Sequence, residues 1–425
     1  MGDRMLIRGG RPLSGAITAQ GAKNAALPVM ASALLLRGRR LTLERVPDLK
    51  DIHTMANLLR HLGAGIEFEN GRMTIDVPDD LKWETPAELV RKMRASSLVL
   101  GPLVARCGKA VLPLPGGCAI GSRPIDFHLR GLARMGAEID LEQGSVHART
   151  SGLSATRISL DFPSVGATEN MLMTAALTPG ESVIENAARE PEISNLAQAL
   201  RAMGTYVEGD GTGTITIRGS RELGSATVRI IPDRIEASTY LLAALMTRGE
   251  VTINDINTEY LAALLSKLDD AGVICDVSPY SVTLRGADQN WRGVTLTTSP
   301  YPGFPTDVQP QIMAALCMAE GTSVIHESVF DSRYVHVAEF RRMGGKIDIQ
   351  GNTVVVIGVS KLIGAEVRAS DLRAGAALII MGLAADGQTE IHELKHIWRG
   401  YENLMEKMTS LGADIEIEPG SEIDE

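Results

Sequence analysis

Aromatic residues, basic residues and cysteines are all scarce in this chain of 425 residues. Aromatic side chains make up 4% of it, which leaves few stacking surfaces for single-stranded nucleic acid. The 42 basic residues are outnumbered by 52 acidic ones, and the net charge of −10 argues against a general nucleic-acid binder. A local basic pocket for a small anion is still compatible with this charge.

The four cysteines, Cys107, Cys118, Cys275 and Cys317, form no CxxC pair and are too few for a disulfide framework. The chain contains eight histidines, and we expect neither a zinc cluster nor metal catalysis. The glycine-rich segments match neither a P-loop nor a dinucleotide fingerprint, and no GxSxG motif occurs. We therefore expect reduced thiols, no metal and no cofactor.

Long apolar runs are also missing. Stretches such as Ser97–Ala105 and Ala374–Ala385 fall short of the roughly 20 residues that a membrane-spanning helix needs. The first residues contain no apolar signal segment. We expect a cytoplasmic protein without a membrane partner. Its 44% apolar and 22% charged residues are typical of a folded chain, and its length predicts two or three domains.

One pattern recurs six times along the chain: an amphipathic helix, then a glycine, then a strand with alternating apolar residues. Examples are LLRHLGAGIEF from Leu58 and FRRMGGKIDI from Phe340. The six glycines are Gly63, Gly136, Gly204, Gly272, Gly344 and Gly412, at separations of 73, 68, 68, 72 and 68 residues. Each glycine is expected to end its helix in the left-handed conformation, before a half-buried strand.

Each repeat also contains a helix rich in Ala, Met and Leu, such as Asn24–Leu36 or Ile235–Met246, which should be buried because it is apolar nearly all round. We predict an α/β protein of six βαβ-type units in two domains of three repeats. One domain comprises residues 22–231. The other comprises residues 1–21 and 232–425, because the strand Arg4–Arg8 is expected to complete the last repeat. A ligand cleft between them is the expected site.

Glycine-rich loops with charged residues that packing does not require are the candidate sites of chemistry. Lys23 begins a buried helix, where backbone N–H groups suit a phosphate, although a solvated first-turn lysine is the alternative. Cys118 lies in LPGGCAIGSRP with Arg123 five residues away, and such surroundings can make a thiol accessible and acidic. The alternative is a loop cysteine without a role.

Two further loops carry Asp307 and Arg399. Asp307 follows YPGFPT, where it could cap the next helix or act as a base. Arg399 is expected to open the last amphipathic helix. Arg94 and Arg373 stand at the starts of the second and sixth buried helices, as Lys23 does in the first. Packing alone does not explain cations at three equivalent places.

Several of these segments resemble motifs of the UDP-N-acetylglucosamine 1-carboxyvinyltransferase (MurA) family. They are GAKNAALP from Gly21, LPGGCAIGSRPIDFH from Leu114, SVGATEN from Ser164, PDRIEA from Pro232, YPGFPTDVQPQ from Tyr301 and RGYENL from Arg399. The resemblance runs from about Arg8 to Asp414 and implies two inside-out α/β domains. It also implies enolpyruvyl transfer from phosphoenolpyruvate to the 3′-hydroxyl of UDP-N-acetylglucosamine, which releases phosphate in the first committed step of peptidoglycan synthesis.

The resemblance also implies a role for each candidate. Cys118 would protonate the enol carbon and can form a covalent adduct with it, while Asp307 would orient or deprotonate the sugar hydroxyl. Phosphoenolpyruvate would be held by Lys23, Arg123 and Arg399, with Arg94, Arg373 and Asn24 at the same anionic pocket. The residues expected to contact the nucleotide sugar are Arg94, Arg123, Pro124, Ile125, Asp126, Phe127, Ser164, Val165, Gly166, Asp307 and Val329.

The chain departs from the family pattern at two positions: Trp398 replaces an Asp of many relatives, and Phe162 a Lys of some. A rival interpretation is the 5-enolpyruvylshikimate-3-phosphate synthase family, which shares fold and donor. Its Asp-Lys-Ser phrase is absent here, and the cysteine loop is not expected there. A non-catalytic nucleotide-sugar sensor should have lost Cys118, Lys23 or Asp307, and all three are present.

Overall fold

The computed structural model describes residues 3–114, 125–287 and 289–420. These residues divide into two compact units, each with its own buried apolar cluster. The N-terminal unit comprises residues 21–114 and 125–231. The C-terminal unit comprises residues 3–20, 232–287 and 289–420.

In the described part of the chain the strands form six small sheets, three in each unit. In the N-terminal unit, the strands of the first sheet are, in spatial order, Ala226–Arg229, Arg39–Glu44, Arg72–Val77 and Gly65–Glu69. Those of the second sheet are Lys109–Pro113, Ser145–Arg149 and Glu138–Glu142. Those of the third sheet are Arg157–Ser159, Gly180–Glu185, Thr214–Gly219 and Tyr206–Glu208. In the C-terminal unit, the strands of the first sheet are Ser14–Thr18, Glu250–Asn254, Ser281–Arg285 and Cys275–Ser278. Those of the second sheet are Thr295–Thr297, Thr322–His326, Thr353–Ile357 and Lys346–Gln350. Those of the third sheet are Glu366–Arg368, Gln388–His392, Arg4–Arg8 and Asp414–Glu418.

The first strand of the chain completes the last sheet. Arg4–Arg8 lies antiparallel between Gln388–His392 and Asp414–Glu418, with Ile7 opposite Thr389 on one side and Ile415 on the other. The next strand, Ser14–Thr18, pairs in parallel with Glu250–Asn254. The prediction that the first strand completes the sixth repeat is therefore confirmed.

The α-helices are α1 (Lys23–Ser32), α2 (Lys50–Leu62), α3 (Ala87–Lys92), α4 (Leu100–Cys107), α5 (Asp126–Arg134), α6 (Val165–Ala176), α7 (Pro191–Ala202), α8 (Arg234–Met246), α9 (Ala262–Asp270), α10 (Gln309–Leu316), α11 (Val337–Arg342), α12 (Leu372–Ala384) and α13 (Leu404–Ser410). Short 3₁₀-helices span Ala33–Leu35, Arg94–Val99, Thr258–Leu261, Thr306–Val308 and Leu394–Arg399. No described helix is both long enough and apolar enough to cross a membrane.

The apolar helices lie inside each unit, as predicted. All thirteen residues of α8 are buried, and α8 packs with α10 and α12 in the C-terminal unit. In the N-terminal unit α4 packs on α6, and α1 packs on α7. The strands show the alternating burial of sheets with one face toward these helices, as in Thr353–Ile357. Each unit is therefore inside-out, with helices at its centre.

The repeat glycines end their helices as expected. All six have positive φ, from 86° at Gly272 to 118° at Gly63, a conformation that costs glycine little.

The prediction that Arg399 opens the last amphipathic helix is wrong. Arg399 is the last residue of a 3₁₀-helix, and α13 begins only at Leu404. Gly400 leaves the helical conformation with φ −139°, and a Cβ there would meet the Leu372 side chain at 2.5 Å. Asn403 then takes a positive φ of 51° before the helix starts. These two conformations interrupt the helical path.

Candidate active site

In the N-terminal unit, Lys23 is the first residue of α1 and forms a buried ion pair. Its ammonium lies 3.0 Å from Asp51 Oδ2, and the two side chains are 11% and 6% exposed. Asp51 stands in the first turn of α2. A Cβ at Gly21 would collide with the Arg45 carbonyl oxygen, so glycine is required two residues before the lysine. Lys23 is thus a buried, paired cation, which excludes the solvated first-turn alternative.

Two predicted nucleotide-sugar segments meet at His128 in the same unit. Asn170 Nδ2 donates to His128 Nδ1 at 2.9 Å, which joins α6 to α5. A Cβ at Gly166 would lie 3.2 Å from the imidazole ring, so the first turn of α6 approaches His128 closely. Ser164 caps α6, because its hydroxyl accepts from the Ala167 N–H at 3.4 Å. The folded chain therefore brings Ile125–Phe127 and Ser164–Gly166 to neighbouring helix starts.

The charge state of His128 follows from its surroundings. Burial, together with the positive charge of Arg94, lowers the pKa of His128 to about 4. The ring is therefore neutral at neutral pH. Since Asn170 Oδ1 accepts from the Gly101 N–H, its amide nitrogen faces the ring, and Nδ1 of His128 is the unprotonated acceptor.

The other predicted residues of the N-terminal unit lie at helix starts. Arg94 begins a 3₁₀-helix that leads into α4, and Asn24 is exposed in α1. Ile125 is buried just before α5, Asp126 is exposed in its first turn, and Phe127 lies 5.3 Å from the Arg130 guanidinium. Cys118, Arg123 and Pro124 lie outside the described residues.

In the C-terminal unit, Asp307 lies between two buried guanidinium groups. Arg373 Nη2 is 3.1 Å from Asp307 Oδ2, and Arg333 Nη2 is 3.4 Å from Oδ1. The two arginines are 7% and 2% exposed, whereas Asp307 is 30% exposed. Both carboxylate oxygens thus contact arginines, which favours the role of a site residue over that of a helix cap. Two adjacent positive charges also favour its ionised form.

Arg373 lies in the first turn of α12. Asp371 caps this helix, because its Oδ1 accepts from the N–H groups of Arg373 and Ala374. A cation in the first helical turn opposes the helix dipole, and the carboxylates of Asp371 and Asp307 offset that cost. Burial lowers the pKa of Arg373 and Asp307 raises it, and the net direction is upward.

Arg333 is a functional candidate that the sequence analysis missed. It donates to the Thr306 carbonyl at 3.1 Å and lies 3.8 Å from Asp371 Oδ1, besides its contact with Asp307. The ring of His336, three residues further along the chain, is buried, and this burial lowers the pKa of His336. Arg333 follows no glycine loop and stands at no repeated position. The feature that identifies it as a candidate is that an arginine side chain is almost completely buried there.

Glu327 is a second missed residue, and it holds the loop that contains Val329. Its Oε1 accepts from Thr298 Oγ1 at 2.7 Å and from the Val329 N–H at 2.9 Å. Its Oε2 accepts from Thr306 Oγ1 at 3.0 Å. One buried carboxylate therefore ties the Val329 loop to the residue that precedes Asp307.

The segment that follows Arg399 is fixed through Tyr401. This tyrosine is buried, and its hydroxyl lies 2.9 Å from Thr239 Oγ1 and interacts with Arg373. Arg373 in turn contacts Asp307. The Arg399 segment and the Asp307 carboxylate are thus connected through two side chains, those of Tyr401 and Arg373.

Each unit therefore presents buried cations beside carboxylates, an arrangement suited to binding a small multivalent anion.

Comparison with known proteins identifies relatives over nearly the whole chain. The family model EPSP synthase (3-phosphoshikimate 1-carboxyvinyltransferase) matches residues 7–408. UDP-N-acetylglucosamine 1-carboxyvinyltransferase 1 of Halalkalibacterium halodurans is 50% identical over 415 residues, which cover 97% of this chain and 94% of that protein. UDP-N-acetylglucosamine 1-carboxyvinyltransferase of Desulfosudis oleivorans is 50% identical over 413 residues, which cover 97% of this chain and 99% of that protein.

Solved structures show the same fold. The enolpyruvyl transferase NikO from Streptomyces tendae is 28% identical, with a TM-score of 0.90 over 99% of this chain and 100% of that one. EPSP synthase from Acinetobacter baumannii is similar in fold alone, at 19% identity and a TM-score of 0.74 over 98% and 100% of the two chains. The predicted fold class is confirmed. The chain belongs to the EPSP synthase family of enolpyruvyl transferases and, within it, to the UDP-N-acetylglucosamine 1-carboxyvinyltransferases.

Proposed function

We propose that this enzyme transfers the enolpyruvyl group of phosphoenolpyruvate to the 3′-hydroxyl of UDP-N-acetylglucosamine, in the cytoplasm, as the first committed step of peptidoglycan synthesis. The names of two relatives at 50% identity support the acceptor. The observation that carries the chemistry is the Asp307 carboxylate, held between Arg373 and Arg333 with part of its surface exposed.

The reaction is an addition followed by an elimination. In the addition, the sugar oxygen bonds to C2 of phosphoenolpyruvate and gives up its proton, while C3 gains a proton. In the elimination, C3 loses a proton and the bond between C2 and the phosphate oxygen breaks, which releases phosphate. This sequence needs a base at the hydroxyl and an acid at C3.

Asp307 is the group that we assign to the sugar hydroxyl. Its two guanidinium partners fix the orientation of the carboxylate and keep it ionised, so that it can accept a hydrogen bond from the hydroxyl. Its contribution is to orient the hydroxyl and to receive the proton as the new bond forms. Cys118 is the assigned acid at C3 and the residue that can carry the covalent adduct.

The cations are assigned to the anionic groups of phosphoenolpyruvate. Lys23, Arg123 and Arg399 hold it, with Arg94, Arg373 and Asn24 beside them. The pairing of Lys23 with Asp51 keeps a charged ammonium in a buried place, so the ligand meets a fixed cation. The nucleotide sugar is assigned to the segments around Ile125–Phe127, Ser164–Gly166 and Val329. In this proposal the domains 22–231 and 1–21 with 232–425 contribute to one reaction, and no metal or cofactor takes part.

The acceptor is tested by phosphate release. Purified enzyme with phosphoenolpyruvate should release phosphate when UDP-N-acetylglucosamine is added, and should not when shikimate 3-phosphate is added instead. The second acceptor is the substrate class that the name of the matching family model indicates. Equal turnover with both acceptors, or turnover with shikimate 3-phosphate alone, would contradict the proposal.

A further inference from the structure

The side chain of Gln20 bridges the backbone of the segment that follows Arg399. Its Nε2 donates to the Gly400 carbonyl at 3.0 Å, and its Oε1 accepts from the Glu402 N–H at 2.6 Å. Gln20 is 5% exposed, so water competes little for these bonds. A single amide thus supplies a donor and an acceptor on either side of Tyr401.

This segment needs partners because it lies between two helices. The 3₁₀-helix ends at Arg399 and α13 begins at Leu404, so the intervening backbone groups have no regular helical ladder. Backbone N–H and C=O groups that are buried without a partner are costly. Gln20 meets that need for Gly400 and Glu402, and thereby sets the path of the chain as it leaves Arg399.

Gln20 is itself held in place through its main chain. Its N–H donates to Glu236 Oε2 at 2.7 Å, and its carbonyl accepts from the Asp233 N–H at 2.9 Å. The other oxygen of Glu236, which is fully buried, accepts from Lys407 Nζ at 2.6 Å. The backbone of Gln20 is therefore anchored to the start of α8, and through Glu236 and Lys407 to α13.

We propose that Gln20 is a positioning residue for Arg399. Its amide fixes the Gly400–Glu402 backbone, and so holds the Arg399 guanidinium where it binds phosphoenolpyruvate. This proposal rests on the proposed function, which assigns that ligand to Arg399. In this proposal Gln20 acts through the backbone of that segment and not on the substrate. Its loss should therefore weaken the use of phosphoenolpyruvate and leave the use of the nucleotide sugar nearly unchanged.

Two variants separate the hydrogen bonds from packing. Gln20→Met keeps a side chain of similar length without either hydrogen bond, and Gln20→Glu keeps the acceptor but places an oxygen against the Gly400 carbonyl. The matched control is Gln289→Ala. Gln289 makes an equivalent backbone bridge in the same unit, since its amide contacts both the N–H and the carbonyl of Ile274.

The experiment measures the KM of both substrates by phosphate release, together with amide hydrogen exchange of residues 399–403. For Q20M and Q20E we expect the KM for phosphoenolpyruvate to rise about tenfold, which corresponds to about 1.4 kcal/mol, because a hydrogen bond that fixes the segment is lost. The KM for UDP-N-acetylglucosamine should stay within twofold, and the 399–403 amides should exchange faster. The Q289A variant should show neither change.

The outcomes distinguish this inference from the proposed function. A parent enzyme that releases no phosphate with UDP-N-acetylglucosamine contradicts the proposed function, and exchange at residues 399–403 still tests the role of Gln20. Unchanged exchange in Q20M overturns the inference. An equal rise in both KM values also overturns it, because a merely structural role would affect the two substrates alike.

Discussion

Arg373 and Asp307 are 66 residues apart in the chain and form one ion pair, with Nη2 and Oδ2 at 3.1 Å. The arginine comes from the first turn of α12, and the carboxylate from a 3₁₀-helix before α10. Arg333 contacts the other oxygen of the same carboxylate. The orientation of Asp307 is thus set by two long-range partners.

Asp307→Asn should lower kcat by about 100-fold or more, the range expected when a positioned acid–base group is lost. The amide keeps the shape of the carboxylate, but it neither accepts the hydroxyl proton nor neutralises the two arginines. Phosphate release is the measurement. The control is Asp386→Asn, an exposed carboxylate of the same unit that pairs with Lys361, and its kcat should match that of the parent. Parental kcat in the D307N variant would remove Asp307 from the chemistry.

Arg333→Lys should lower kcat about tenfold or more, although the positive charge is retained. The guanidinium contacts Thr306, Asp307 and Asp371 at once, and a lysine ammonium lacks the planar fork that makes such a set of contacts. The same substitution at Arg342, which is exposed and lies 3.8 Å from Glu339, should have no effect on turnover. If both variants turn over alike, Arg333 does not orient Asp307.

Asp51→Asn should lower the free energy of unfolding by about 3–5 kcal/mol, because it removes the carboxylate charge that lies 3.0 Å from the buried Lys23 ammonium. The contrasting variant is Asp76→Asn, which breaks the exposed pair with Arg40 and should cost less than about 1 kcal/mol. Urea unfolding of the three proteins provides both values. Equal losses in the two variants would mean that the buried pair has no special role.

Acid should destabilise the protein partly through His128. Burial, with the charge of Arg94, lowers its pKa in the folded state to about 4 from an ordinary 6.5, while Asp126 acts in the opposite direction. Between these pH values the unfolded state binds more protons, so stability falls as the pH drops from 6.5 toward 4. The shift corresponds to about 3 kcal/mol for this one group.

Urea unfolding between pH 4 and 7.5 tests this assignment. His128→Gln removes the titrating group and can still accept from Asn170, so stability should depend less steeply on pH in this variant. Part of the slope should remain, since burial also lowers the pKa of His336. His61→Gln, at an exposed position, should retain the parental slope. An unchanged slope in the His128 variant would refute the assignment.

Local patterns in the sequence were sufficient to predict the six repeats and the ends of their helices. The six glycines predict helix ends because left-handed backbone is a property of single residues, and all six have positive φ. The place of Arg4–Arg8 in the last repeat could be predicted only because the six repeats were taken as equivalent, and its partner Gln388–His392 is seen in the structure alone. The repeats thus made it possible to predict the place of a strand whose partner is distant in the sequence.

The partners of the candidate residues could not be predicted in this way. Asp51, Arg333 and Gln20 lie 28, 26 and 380 residues from Lys23, Asp307 and Gly400, and they follow no motif that marks them. Their roles depend on the tertiary arrangement, in which a buried charge or backbone group requires a partner. Arg399 shows the converse: its motif was found, but the backbone at Gly400 and Asn403 overrides the helical pattern.

The four cysteines should differ in reactivity. Burial raises the pKa of the Cys107 thiol, that of Cys275 to about 11 and that of Cys317 to about 12. These three thiols are therefore protonated at neutral pH, and a protonated thiol is a poor nucleophile. An epoxide phosphonate such as fosfomycin, which is an anion like phosphoenolpyruvate, should accordingly alkylate Cys118 and leave the other three unmodified. Peptide mapping by mass spectrometry after treatment identifies the labelled residue.

Two substitutions then separate the acid from the nucleophile. Cys118→Asp keeps a proton donor of similar reach but removes the sulfur, so part of the turnover should survive while inactivation by the epoxide disappears. Cys118→Ser should lose most of the turnover, because a hydroxyl is a much weaker acid than a thiol. Cys107→Ser, at a thiol whose pKa burial raises, should keep both turnover and sensitivity to the epoxide. A label on Cys107, Cys275 or Cys317, or parental turnover in the C118S variant, would mean that the proton at C3 comes from another group.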